Sequence, residues 1–176
     1  MVGAGGTGGY YGGALARAGN QVTMVARGPH LAAIRATGLQ VNTVLLGDFH
    51  LDVDATDDMS SVGPVDLVIF AVKSYGTNAA IRDMGPLVSD DTMIISTQNG
   101  IDSERLLGEA LGTEHVLGCA ATVSAKIDAP GVITQGGGPG SLVIGEMGSA
   151  DLNAQGAVTE RVNDLVERCK AAGLAA

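Results

Sequence analysis

Tryptophan is absent, and three tyrosines and two phenylalanines are the only aromatic residues in a chain of 176. The interior must therefore be assembled from Val, Leu, Ile and Ala, and a chain of this length holds enough of them for one domain, or one domain and the start of another. Positive charge is also scarce: 10 Lys and Arg stand against 19 Asp and Glu, a formal net charge of −9. That balance argues against nucleic acid or an anionic membrane as partner. It also makes each isolated Arg or Lys more informative, because a phosphate ligand would still need local cations. Cys119 and Cys169 are the two thiols, without CxxC or CxxH spacing. They read as reduced structural cysteines, which suits a cytoplasmic protein, and no neighbourhood that would lower a thiol pKa can be read around either. His30, His50 and His115 are scattered without metal-ligand spacing. No apolar run approaches the roughly 18–20 residues that span a bilayer, and no signal-peptide pattern opens the chain.

Glycine, by contrast, is abundant, with 27 residues. Its densest run is Gly3-Ala4-Gly5-Gly6-Thr7-Gly8-Gly9-Tyr10-Tyr11-Gly12-Gly13, in which Gly3, Gly5 and Gly8 fit G-x-G-x-x-G. In so glycine-rich a chain the pattern alone reads equally as a flexible loop, so its context decides. The run leads into Ala14–Ala18, read as a short helix closed by Gly19, and then into the apolar strand Val22–Val25. Turn, helix and strand in that order are what a dinucleotide site requires. Gly3 would permit the tight turn, Gly5 the approach of a pyrophosphate, and Gly8 close packing of helix on strand, while the helix N-terminus offers free N–H groups and a positive dipole end. Only Met1 and Val2 precede Gly3, too few for a central strand of about 5–6 residues, so the expectation is a chain trimmed at its N-terminus.

Strand and helix signals alternate along the remainder. Pro29 to Ala36 predicts a helix. Leu39–Asn42 and Phe49–Val53 predict two alternating strands joined near Gly47-Asp48, as an antiparallel insert or sheet edge, and Asp57–Gly63 reads as a loop or short helix. Asp66–Val72 and Thr92–Ser96 are apolar runs of the kind buried on both faces of a parallel sheet. Helices are predicted over Thr77–Met84, Ser103–Leu111 and Asp151–Ala172, and a strand over Val116–Val123. Gly131–Gln135 and Ser141–Gly145 are predicted as a strand pair separated by a flexible Gly136–Gly140. The fold class that follows is α/β, a Rossmann-type doubly wound, mostly parallel sheet with helices on both faces, occupying residues 1–176 as one nucleotide-binding domain.

In such sheets ligands bind beyond the carboxyl ends of the strands, where Arg27, Lys73 and Asn99 converge. Sites for NAD carry a carboxylate at the end of the second strand to hold the ribose 2′-OH, but here the chain reads Val25-Ala26-Arg27-Gly28. A guanidinium suits a 2′-phosphate, so the cofactor expected is NADP(H). Lys73 would point from the strand edge toward the crevice. Asn99 can donate and accept at once, bridging ribose and substrate hydroxyls. The same three residues also fit a solvated arginine, a snorkelling lysine and a simple Asn-Gly turn.

Together, the glycine run, Val25-Ala26-Arg27-Gly28, Val65–Tyr75 with its Lys73-Ser74-Tyr75, Gln98-Asn99-Gly100 and Ala129-Pro130-Gly131-Val132 resemble the N-terminal cofactor domain of the ketopantoate reductase (2-dehydropantoate 2-reductase) family. The resemblance covers essentially the whole chain. It implies NADPH-dependent reduction of 2-dehydropantoate to pantoate, a step toward pantothenate and coenzyme A. Residue by residue, it implies that Gly3, Gly5, Gly6, Thr7 and Gly8 cradle the pyrophosphate, that Arg27 reads the 2′-phosphate, that Lys73 and Asn99 face the cofactor with Asn99 also reaching substrate, and that Ala125 makes a cofactor contact largely through its backbone. Gln135 stands where many members carry a histidine. In the family the proton-donating lysine, substrate-binding asparagines and glutamate lie in or near a helical C-terminal domain, and the resemblance implies that the lysine would be expected just after Ala176. The expectation is that these 176 residues alone bind NADPH weakly and turn nothing over. A small 2-oxo acid is the expected substrate, and a homodimer is a candidate assembly. Two other readings stay open: a reductase of another 2-oxo acid, and a non-enzymatic NADP(H)-sensing module.

Overall fold

The structure, a computed structural model, describes residues 1–100, 102–147 and 158–176. In chain order its elements are α1 (Gly6–Arg17), β1 (Thr23–Val25), α2 (Gly28–Thr37), β2 (Leu39–Thr43), β3 (Phe49–Leu51), β4 (Asp54–Thr56), β5 (Leu67–Phe70), α3 (Thr77–Asp83), β6 (Met93–Ser96), α4 (Asp102–Leu111), β7 (Val116–Ala129), β8 (Val132–Glu146) and α5 (Glu160–Ala171). One ladder runs β3-β2-β8-β7-β6-β5 and a second pairs β1 with β4. Val2 joins them, bridging in parallel to Val25 on one side and Phe70 on the other. The opening residues thus fill the central slot of a mostly parallel sheet, antiparallel only at β2–β3 and β7–β8.

The apolar runs of β5 and β6 do what doubly buried strands should. Val68, Phe70 and Ile94 point to one face, where they pack with Ala80, Ile81 and Leu107 of α3 and α4. Ile69 and Ile95 point to the other, toward Tyr11 and Leu15 of α1 and Leu165 of α5. The period-2 alternation of a strand therefore divides the aliphatic core into two layers, with helices on both faces as expected.

Several boundaries differ from the sequence reading. The first helix starts at Gly6, so most of the glycine run is helix rather than turn. Glycine is a poor helix former, but a side chain on Gly9 would sit 2.6 Å from Ile133 and one on Gly12 would sit 2.8 Å from Met24. Packing overrides propensity because only a bare helix fits this close to the sheet. A short strand, β4, appears where no strand was predicted. Gly136–Gly140 is not a separator: β8 is continuous and pairs with β7 through three register shifts. Those bulges, with Gly138 and Gly140 at positive φ, bend the hairpin over α1, where Tyr11 donates to the Ser141 carbonyl at 2.9 Å. The last helix begins at Glu160, and the Asp151–Ala157 part of its predicted span lies outside the described residues.

Candidate nucleotide site at the strand ends

Because β1, the Val2 bridge, β5 and β6 are all parallel, their carboxyl ends share one edge. The Val25 carbonyl accepts from both Gly3 N–H (3.1 Å) and Ala4 N–H (2.9 Å), which ties the glycine turn to the end of β1. Arg27 follows two residues later, exposed, as the N-cap of α2. At the end of β5, Ala71 N–H donates to the Val2 carbonyl and Lys73 opens the next turn, also exposed. At the end of β6 comes exposed Asn99, before Gly100 at φ +107°. The side chains of Arg27, Lys73 and Asn99 make no hydrogen bond or ion pair with other described residues, although the Arg27 and Lys73 carbonyls accept from Leu31 and Gly76.

The glycines divide by what surrounds them. Gly3, at φ +95°, has its missing side chain aimed 2.8 Å from Val72 N. A side chain on Gly6 would strike the Ala125 carbonyl and one on Gly8 the Gly3 carbonyl, both far inside contact distance. These three are required by the protein's own backbone. Gly5 is different: it is extended (φ −71°, ψ −165°) and nothing lies within 4 Å of where its side chain would be. It stands as the N-cap of α1, and Gly9 N–H donates to its carbonyl. The first-turn amides of Gly6, Thr7 and Gly8 therefore have no intrahelical acceptors, and the space beside Gly5 is open. Free donors, the positive end of a helix dipole and an absent side chain are what a pyrophosphate needs, so the residues present fit a dinucleotide. Ala125, on the curled end of β7, walls this space through its backbone against Gly6.

A cleft of about 710 Å³ lies elsewhere, lined by Glu146, Thr159, Glu160, Arg161 and Asp164. Glu146 pairs in register with Leu117 near the start of β7, so this cleft sits at the amino end of that strand. Its carboxylates would repel a nucleotide. Within it Glu146 accepts from Arg161 Nε (2.8 Å) and Nη2 (2.6 Å), a two-point contact that holds its carboxyl below the usual range.

Gln98 braces this edge as well, a role the sequence alone does not assign. Its side-chain amide donates to the Val72 carbonyl (2.7 Å) and the Thr77 hydroxyl (2.8 Å), lashing the loop of Asn99 to that of Lys73. A neutral, bifunctional side chain one residue before Asn99 at a strand end was the available signal. Cys119 and Cys169 are free thiols, and burial pushes both up, to about 12 and about 11. No group of metal-ligating side chains and no helix long and apolar enough to cross a membrane occurs among the described residues.

The family description "Ketopantoate reductase PanE/ApbA" matches residues 1–149. The chain belongs to the ketopantoate reductase family. It is 37% identical over 145 residues to the 2-dehydropantoate 2-reductase of Pyrococcus abyssi, covering 82% of this chain and 46% of that protein. It is 31% identical over 167 residues to the uncharacterised oxidoreductase YkpB of Bacillus subtilis, covering 95% of the chain and 52% of that protein. Among solved structures, 2-dehydropantoate 2-reductase from Geobacter metallireducens superposes with a TM-score of 0.87 at 31% identity, over 99% of this chain and 55% of the other. A D-mandelate dehydrogenase solved with NADH and anilino(oxo)acetate shares the fold, with a TM-score of 0.84 at 23% identity, over 99% of this chain and 54% of the other. The chain spans about half the length of the relatives it matches.

Proposed function

We propose that this chain is the cofactor-binding part of an NADPH-dependent oxidoreductase that reduces 2-dehydropantoate to pantoate. One observation carries the reading: the open space at Gly5, bordered by free helix-start amides, lies at the same sheet edge as three exposed polar side chains, Arg27, Lys73 and Asn99. When bound, the nicotinamide cofactor supplies the hydride, and the protein contributes position and electrostatics. In this reading Gly5, Gly6, Thr7 and Gly8 bind the pyrophosphate through backbone N–H groups, with Gly3 shaping the turn and Ala125 closing the wall. Arg27 pairs with the 2′-phosphate, which selects NADP(H) because no carboxylate stands at the end of β1 to accept a ribose hydroxyl. Lys73 and Asn99 orient the nicotinamide half, and Asn99 reaches the substrate. The family relationship supports 2-dehydropantoate as substrate.

The test is a panel of 2-oxo acids offered to the full-length protein, with NADPH oxidation as readout. Preferred turnover of 2-dehydropantoate is expected. Faster turnover of another 2-oxo acid would reassign the substrate and leave the cofactor site standing. Absence of turnover with retained NADPH binding would favour a sensing module.

A further inference from the structure

His30 is the third residue of α2 and is nine-tenths buried, between the glycine turn and the tip of the β7–β8 hairpin. Its Nδ1 accepts a hydrogen bond from Gly131 N–H at 3.0 Å. An imidazole nitrogen that accepts carries no proton, so the ring is neutral with its hydrogen on Nε2. Nε2 is the buried side-chain atom that finds no partner among the described residues. Burial, the larger effect, lowers the ring's pKa from its ordinary 6.5, against the opposing pull of the neighbouring Ala4 backbone, which favours the protonated ring. Buried donors are almost always satisfied, and an exception calls for a reason. Here it lies between two parts of the cradle. Ala4 links Gly3 to Gly5, and the hairpin whose tip His30 anchors is the one that brings Ala125 against Gly6.

We infer that His30 is a further positioning residue of the cradle: its Nε2–H engages the Ala4 carbonyl when a dinucleotide settles on the turn, fixing Gly5 and the first amides of α1 against the pyrophosphate while Nδ1 holds the hairpin tip. The inference rests on the dinucleotide reading given above. It assigns the two nitrogens separate duties, which two substitutions separate. Asparagine places an acceptor near Nδ1 and no donor near Nε2. Glutamine reaches the Nε2 position with an N–H and leaves Gly131 unpaired.

The experiment measures NADPH affinity by fluorescence titration and the thermal midpoint for the full-length protein, His30→Asn and His30→Gln, together with the imidazole ¹⁵N signals of the unsubstituted protein with and without NADPH. Expected are a midpoint near that of the parent with affinity weakened roughly fivefold for His30→Asn, the weight of one neutral hydrogen bond. His30→Gln is expected to keep its affinity with a lowered midpoint, and the Nε2–H signal to shift and gain exchange protection on adding NADPH. Unchanged affinity in His30→Asn, or losses in both variants that only follow their stability, would overturn the inference. So would an Nε2–H signal indifferent to NADPH, a readout that does not depend on either variant folding. A parent protein that binds no dinucleotide would sink the underlying reading and this inference with it.

Discussion

Replacing Gly5 by alanine separates a glycine kept for a ligand from one kept for the fold. The backbone at Gly5 (φ −71°, ψ −165°) is open to any residue, and nothing lies within 4 Å of the added methyl group. Two small effects on the free protein oppose each other. Alanine restricts the unfolded chain, which stabilises by about 0.4–1 kcal/mol, while alanine is a poorer N-cap than glycine by a similar amount. The thermal midpoint should therefore stay close to that of the parent. A bound dinucleotide would meet the methyl group where its phosphate oxygens approach the amides of Gly6, Thr7 and Gly8. Each hydrogen bond to a charged group is worth about 1.5–3 kcal/mol, so losing even one weakens binding at least roughly tenfold. Because the pyrophosphate is common to both cofactors, NADPH and NADH should suffer alike. Isothermal titration with each cofactor, beside a melting curve, makes the measurement. Gly85→Ala is the control, since that glycine also has open space around it but lies away from the strand ends. If Gly5→Ala bound NADPH as the parent does, the open space would not be the pyrophosphate site and the reasoning would fail.

Arg27→Ala should weaken NADPH by about 1.5–3 kcal/mol and leave NADH nearly unchanged; equal losses measured for the two cofactors would remove Arg27 from the 2′-phosphate. Gly8→Ala drives a methyl group into the Gly3 carbonyl, so calorimetry should find it destabilised by about 3 kcal/mol or more, beyond ordinary overpacking. Gln98→Ala leaves the Val72 carbonyl without its amide partner and should cost about 1–2 kcal/mol in denaturant melts, with a weaker affinity for NADPH as the Lys73 and Asn99 loops part. Glu146 is held below its ordinary value of 4.5 by Arg161 and Thr159. Its contribution to stability is thus complete above about pH 4.5 and is lost as pH falls through its folded value. Glu146→Gln should flatten that part of a stability-against-pH curve by about 1 kcal/mol.

Local chemistry made much of this molecule legible in its sequence. The alternation of apolar runs with helical segments gave the layered sheet, because period-2 burial in β5 and β6 and the amphipathic periods of α4 and α5 are set within a few residues of chain. Gly3, Gly5 and Gly8 were readable because their spacing encodes a turn entering a helix. Arg27 stands out in the sequence because it occupies the place where a carboxylate otherwise would stand. What local reading could not supply was the path of the β7–β8 hairpin. Gly136–Gly140 has the composition of a loop, yet it forms bulged strand because Tyr10 and Tyr11 lie beneath it. Likewise the glycines of α1 oppose a helix by propensity and form one by packing.

By itself, then, the chain determined its layers, the edge at which polar groups gather and the sign of charge they offer, since each follows from residues adjacent in order. Tertiary structure decided which glycines serve the fold and which have open space beside them, and that Gln98 ties the Asn99 loop to the Lys73 loop. Those roles arise from groups far apart in sequence, Gly6 and Ala125 among them, and only the folded backbone brings such partners into contact.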